Sequence, residues 1–277
     1  MHVWCNAALY GLYAGYATTL LTVNIISKVT MLKLKEIKLV LSREELAQIP
    51  DGKKLINTIN AFSYNNAQKD SFFAEALREG DYLIPDGASI IKACRMKKAK
   101  YQPVERIAGW DLFTFEMKRL NERSAKTIEN DQTRLKVMFM GSSPKVLSLI
   151  RQRAAVEYAN LDVVTYSPPY KPEFSDEDNA AIINAINEAN PDLLWIGMTA
   201  PKQEKWTYKH WDQLNIHCHV GTIGAVFDFF AGTAKRAPLW WQKHSLEWLY
   251  RLIIEPRRMW RRYIIGNVEF LWLIARE

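Results

Sequence analysis

From residue 31 onward, short apolar strands alternate with amphipathic helices, and most strands run into a loop of small residues. Strands are predicted at 54–60, 81–85, 136–140, 161–165, 193–197 and 217–221. Helices are predicted over roughly 43–48, 63–79, 88–97, 107–120, 144–158, 176–189 and 201–211, with Ser42 and Glu45 forming a capping pattern at the first. Helices of that length between strands act as right-handed crossovers, and crossovers of one hand lay strands down in parallel. The expected fold class is α/β, a Rossmann-like, largely parallel sheet flanked by helices. Ligands of such sheets bind beyond the carboxyl ends of the strands. The loops there are Pro85-Asp86-Gly87, Gly141-Ser142-Ser143, Gly197-Met198-Thr199-Ala200-Pro201 and Gly221-Thr222-Ile223-Gly224. Each feeds a helix and offers backbone N–H groups to a phosphate. None is a Walker A loop or a complete GxGxxG, so singly each reads as a turn; together they outline a nucleotide-sized site.

The two ends of the chain differ from this body. No Lys, Arg, Asp or Glu precedes Lys28. Two readings fit residues 1–30: a weak membrane anchor held by Lys28, Lys33 and Lys35, or a non-native extension before a start at Met31. Residues 31–235 form the α/β core. Residues 236–277 form a helical appendage with eight Lys and Arg against four Glu, and five of the chain's ten tryptophans. Pro256 is placed at the start of a helix there, because proline breaks a helix interior. Interleaved Trp and Arg suit a membrane interface, where rings lie at headgroup depth and cations meet anionic lipid. The other reading is a helical cap with core tryptophans and solvated arginines. The formal charge of +7 favours an anionic partner, but no RNP, KH or helix-turn-helix pattern accompanies it, so no nucleic-acid partner is expected. Three scattered cysteines suggest a reducing compartment.

Asp86 is the sharpest candidate for chemistry. It follows an apolar strand and lies between Pro85 and Gly87, where a carboxylate can act as general base on a hydroxyl; the alternative is a cap for the next helix. Asp176-Glu177-Asp178 has the DxD form of metal-dependent sugar transferases, but acidic residues in the first turn of a helix need no metal to explain them. His217-Cys218-His219 resembles a metal site, yet a strand would send Cys218 to the face opposite the two histidines. No bound metal or cofactor is expected. Trp110 and Trp206 lie near the loops and could stack on a sugar or base, or pack in the core.

These residues fall into a recognisable series. Pro85-Asp86-Gly87, Glu105-Arg106-Ile107-Ala108-Gly109-Trp110-Asp111-Leu112 and Ala200-Pro201-Lys202-Gln203-Glu204 resemble motifs of the WecG/TagA/CpsF family of bacterial glycosyltransferases. So do Phe227-Asp228-Phe229-Phe230-Ala231-Gly232, Arg236-Ala237-Pro238, Leu246-Glu247-Trp248-Leu249-Tyr250-Arg251-Leu252, and Glu255-Pro256-Arg257-Arg258 with Arg261-Arg262-Tyr263. Order and spacing hold over about residues 35–270. The resemblance implies an inverting, metal-independent transfer of a sugar from a nucleotide donor, usually UDP-linked, to a sugar on polyprenyl diphosphate. The setting it implies is the cytoplasmic membrane face, in bacterial cell-surface polysaccharide synthesis. It implies Asp86 as catalytic base and Thr58, Asn60, Arg106 and Gln203 as pocket residues. Arg251, Arg258 and Arg261 match the appendage arginines implied to close over the site and meet the diphosphates. Ser89 and Thr199 stand where glycine is frequent in the family, which leaves the donor open among N-acetylmannosamine, its uronic acid, glucose and other hexoses. The alternative is a catalytically silent scaffold of an exopolysaccharide assembly complex.

Overall fold

The computed structural model describes residues 31–277; the two readings of residues 1–30 lie outside it. The six strands are β1 (Lys54–Ile59), β2 (Tyr82–Pro85), β3 (Lys136–Gly141), β4 (Asp162–Tyr166), β5 (Leu193–Gly197) and β6 (His219–Thr222). They form one sheet in the order β2-β1-β6-β5-β3-β4, and every pair is parallel. The expected α/β class is the observed one. A parallel sheet is covered on both faces, so its strands read as unbroken apolar runs. In β3, Val137 and Phe139 enter one core cluster while Met138 and Met140 enter another; β5 repeats this with Leu193 and Trp195 against Leu194 and Ile196.

The helices before the tail are α1 (Arg43–Ala47), α2 (Ala61–Ala67), α3 (Ser71–Arg78), α4 (Ala88–Met96), α5 (Gly109–Asp131), α6 (Pro144–Glu157), α7 (Asp176–Ala189), α8 (Lys202–Lys209) and α9 (Gly224–Ala231). Ser42 caps α1 by accepting the Glu45 N–H at 3.3 Å, as its spacing predicts. The single helix predicted over 63–79 is two. Asp70 accepts the Phe73 N–H at 3.0 Å and starts α3 afresh, because an extended Asx residue caps better than it continues a helix. Helix α5 runs on to Asp131, well past its predicted end at 120, and stops where Gln132 takes a left-handed conformation (φ 58°).

One face of the sheet is packed with aromatic rings. Phe113 meets Trp195 at 5.5 Å and Phe230 at 4.8 Å between centroids, and Phe139 meets Phe227 edge-on at 5.4 Å. Trp195 is fully buried, and its indole N–H points at the Met117 sulfur at 3.4 Å. Gly221 on β6 leaves room for that ring: a Cβ there would lie 2.3 Å from Trp195 Cζ3. Gly221→Ala is therefore expected to destabilise the protein by about 1–3 kcal/mol through overpacking, read as a lower urea midpoint.

The tail forms α10 (Leu239–Lys243), α11 (Glu247–Ile254), α12 (Pro256–Trp260), a π-helical turn (Arg261–Ile265) and α13 (Gly266–Arg276). Pro256 occupies the first turn of α12, where its missing N–H costs nothing. Helix α13 docks on α2. Phe270 and Ile274 are buried in the cluster built by Tyr64, Phe73 and Leu77, with Phe270 edge-on to Tyr64 at 5.5 Å. Asn65 Nδ2 donates to the Gly266 carbonyl at 2.7 Å, and the Tyr64 hydroxyl donates to Glu277 at 2.7 Å. The last helix thus shares a core with the body.

Candidate active site

The parallel order brings the implied pocket residues to one edge of the sheet. Pro85 pairs with Ile59, so Asp86, just past β2, lies beside Asn60, just past β1; the Asp86 N–H donates to the Ile59 carbonyl at 2.8 Å. Thr58 sits two residues earlier on β1. Asn60 caps α2 through the Ser63 N–H at 3.1 Å, a structural duty that also fixes its side chain beside Gly87. Beyond β5, Gln203 opens α8, and its Oε1 accepts the N–H groups of Met198 and Gly224, each at 3.1 Å. Its Nε2 donates to Glu204 at 2.8 Å. Gln203 therefore ties the loop after β5 to the start of α9. Gly224 permits this approach, since a Cβ there would lie 2.1 Å from the Met198 carbonyl oxygen. Glu204 is buried with its second oxygen unpartnered, and burial pushes its carboxyl up to about 7.

Arg106 comes within the electric field of Asp86 because the loop before α5 is clipped to β2, with the Ile107 N–H donating to the Pro85 carbonyl at 3.2 Å. Burial raises the Asp86 carboxyl from 3.8 to about 6; Arg106 and Arg262 pull it down, while Glu247 and Asp111 push it up. Burial opposes the charge on Arg106, but Asp86, Glu247 and Asp111 outweigh it and hold the guanidinium protonated. A carboxylate that titrates near 6 among fixed guanidiniums can take a proton from a hydroxyl near neutral pH.

The tail closes this arrangement. Glu247 of α11 binds Arg106 with one oxygen and Arg236 at 3.3 Å with the other, and all three side chains are about 20% exposed. Arg236 also lies over the Trp110 ring at 5.3 Å, so Trp110 serves as a platform for an arginine. Arg251 lies against Phe229 of α9, its guanidinium 5.7 Å from the ring. Arg258 and Arg261 are exposed; Arg258 pairs with Glu255 at 2.7 Å and Arg261 rests over Trp260 at 5.3 Å. The side chain turned inward is that of Arg262, 4.4 Å over Phe62 of α2 and in the electric field of Asp86. Sequence reasoning passes over Glu247 and Arg262, although both lie inside the family motifs.

Other features resolve differently. Asp178 completes a capping box with Ser175 and binds Lys171 at 2.7 Å, so this part of the acidic triplet serves the start of α7. Trp206 is buried and donates to Asn179 at 2.9 Å, as a core residue does. His217 is exposed, while His219 is buried between Glu116, Arg119 and the Pro50 carbonyl. Glu116, Arg119, His217 and His219 line a cavity of about 60 Å³ at the amino-terminal edge of the sheet, too small for a sugar nucleotide.

Residues 23–277 match the glycosyl transferase WecG/TagA/CpsF family. The chain belongs to that family. It is thus a glycosyltransferase of cell-wall polysaccharide synthesis. Among the curated relatives of this glycosyltransferase is the N-acetylglucosaminyldiphosphoundecaprenol N-acetyl-beta-D-mannosaminyltransferase of Bacillus subtilis (strain 168), 28% identical over 210 residues, 76% of this chain and 75% of the relative. The enzyme of the same name from Bacillus spizizenii (strain ATCC 23059 / NRRL B-14472 / W23) is 28% identical over 198 residues, 72% and 70% of the two chains.

Proposed function

We propose that this glycosyltransferase moves a hexose or N-acetylhexosamine, of the N-acetylmannosamine type, from a UDP-sugar to a sugar carried on polyprenyl diphosphate. The carrying observation is the place of Asp86, just past β2 at the carboxyl edge of the sheet, beside Asn60 and in the electric field of Arg106, Glu247 and Arg262. Asp86 deprotonates the acceptor hydroxyl as it attacks the anomeric carbon, which inverts that centre. Negative charge gathers on the departing nucleoside diphosphate. Fixed guanidinium donors neutralise it bidentately, which supports a reaction without a bound metal. The names of the Bacillus relatives support the acceptor and the donor sugar.

A lipid-linked acceptor supports a peripheral position at the cytoplasmic face of the bacterial membrane. Among the described residues, no helix is long and apolar enough to cross a bilayer. The tail nonetheless holds eleven of their sixteen exposed large hydrophobic side chains, Ile264, Ile265, Val268 and Trp272 bordering one open apolar groove. Basic side chains beside exposed Trp and Ile support docking on an anionic lipid surface.

The test incubates the purified protein with UDP-N-acetylmannosamine and a short-chain polyprenyl-diphosphate N-acetylglucosamine, with other UDP- and GDP-sugars in parallel. The expected product is a disaccharide lipid seen by mass spectrometry, its new linkage opposite in anomeric configuration to the donor. Failure of every donor sinks the reading. The rate should also fall about tenfold per pH unit below about 6, as the base becomes protonated. A flat profile from pH 5 to 7 rules Asp86 out as base.

A further inference from the structure

We infer that Arg262 supplies the inward-facing cation that receives a diphosphate oxygen of the substrate, the place the sequence resemblance implies for its neighbour Arg261. This rests on the transferase reading and assigns the contact that reading needs. The two residues open the π-helical turn, and their side chains diverge. Arg261 is exposed over Trp260. Arg262 is turned toward the body, stacked 4.4 Å above the Phe62 ring, two residues past the Asn60 cap that lies beside Asp86. Cation–π stacking fixes the plane of a guanidinium without using its N–H donors. Arg262 Nε is buried and meets no acceptor.

The charges around it are out of balance. Tyr263, Arg251, Asp86 and Arg258 share its surroundings, and burial pulls its pKa down. The carboxylates that could answer it are engaged elsewhere, Glu247 by Arg106 and Arg236, and Glu255 by Arg258. Asp86 contributes one negative charge, which Arg106 already shares. A desolvated guanidinium with an idle N–H is costly until an anion arrives. A phosphate matches it best, because its oxygens accept two parallel N–H bonds. The leaving diphosphate must also lie within reach of the donor sugar's anomeric carbon, and hence near the base.

The donor's diphosphate and the acceptor's diphosphate are the two sources of this chemistry, and calorimetry separates them. UDP, inorganic diphosphate and a short-chain polyprenyl diphosphate are titrated into wild type, Arg262→Gln, Arg262→Lys and Arg261→Gln. If the contact is to the donor, Arg262→Gln weakens UDP at least about tenfold. If it is to the acceptor, UDP binds as before and the polyprenyl diphosphate weakens by that factor. Arg262→Lys keeps the charge but loses the fork and should fall between wild type and Arg262→Gln; Arg261→Gln should cost less than Arg262→Gln. Removing the positive charge also moves the acidic limb of the rate profile to higher pH, since Arg262 holds the Asp86 pKa down. That shift is not expected of a residue that merely packs. Should Arg262→Gln fail to fold, Arg262→Lys carries the test through its lost rise in melting temperature with UDP or polyprenyl diphosphate. Folded variants that bind every diphosphate within twofold of wild type overturn the inference. Weakened binding of inorganic diphosphate in a protein whose wild type transfers no sugar would leave the inference standing and sink the transferase reading instead.

Discussion

Asp86→Asn is expected to cut sugar transfer by about 10²–10⁴-fold while making the protein more stable at pH 7. The first effect follows from removing the carboxylate proposed to take the acceptor proton; donor binding should survive, since asparagine keeps the shape. The second follows from linkage. Folding raises the Asp86 pKa from 3.8 to about 6, so between those values the folded chain holds a proton that the unfolded chain has lost. Stability attributable to this group is therefore lost as pH rises from about 4 to 6, by about 3 kcal/mol at most. Asparagine imitates the neutral form and never incurs that loss. Melting curves at pH 4.5 and 7.5 check it: the variant's advantage should be small at the lower pH and largest at the higher. An active Asp86→Asn enzyme would remove the base role, and an equal melting temperature at both pH values would remove the account of its desolvation.

Glu247→Gln is expected to lower kcat/KM by about 10–100-fold and to destabilise the fold by about 1–3 kcal/mol. Glu247 holds Arg106 and Arg236 together across the junction of body and tail, so its neutralisation leaves two guanidiniums facing each other without an anion. The stability figure is set below that of a fully buried pair because each side chain keeps about a fifth of its exposure to water. A second consequence separates positioning from simple loss of fold. Glu247 raises the Asp86 pKa, so its neutralisation should move the acidic limb of the rate profile to lower pH, opposite to the shift expected for Arg262→Gln. Glu247→Asp, which restores the charge, should recover the limb even where the shorter side chain holds Arg106 less well. A limb that stays in place in Glu247→Gln would show that this carboxylate does not act on the base. These point substitutions probe the tail more cleanly than a deletion from residue 236, which would strip Phe270 and Ile274 from the cluster beneath Tyr64.

The Asp86 loop shows why part of the site is legible in the amino-acid sequence. A parallel strand must end at the ligand edge, and a carboxylate between proline and glycine at that edge is conspicuous in one dimension. The break at Asp70 and the length of α5 are less legible. The first depends on one side chain capping in preference to continuing a helix, and the second on a polar stretch whose periodicity carries little signal. Trp110 and Trp206 look alike in sequence and differ in the fold, one beneath Arg236 and the other bonded to Asn179 in the core.

Arg261 and Arg262 mark the boundary between the two kinds of information. The alternation of strands and helices and the spaced motifs determined the sheet and the family, and the small-residue loops made Asp86 the candidate base, because each of these is written in local pattern. Which arginine turns toward the body was decided in the π-helical turn, where Arg261 lies over Trp260 and Arg262 over Phe62. The pairing of Arg106 with Glu247, 141 residues apart, was decided by the docking of the tail on the body. A sequence records that both charges exist. Only the packed chain brings them together, because contact between distant residues depends on the sum of all the turns between them.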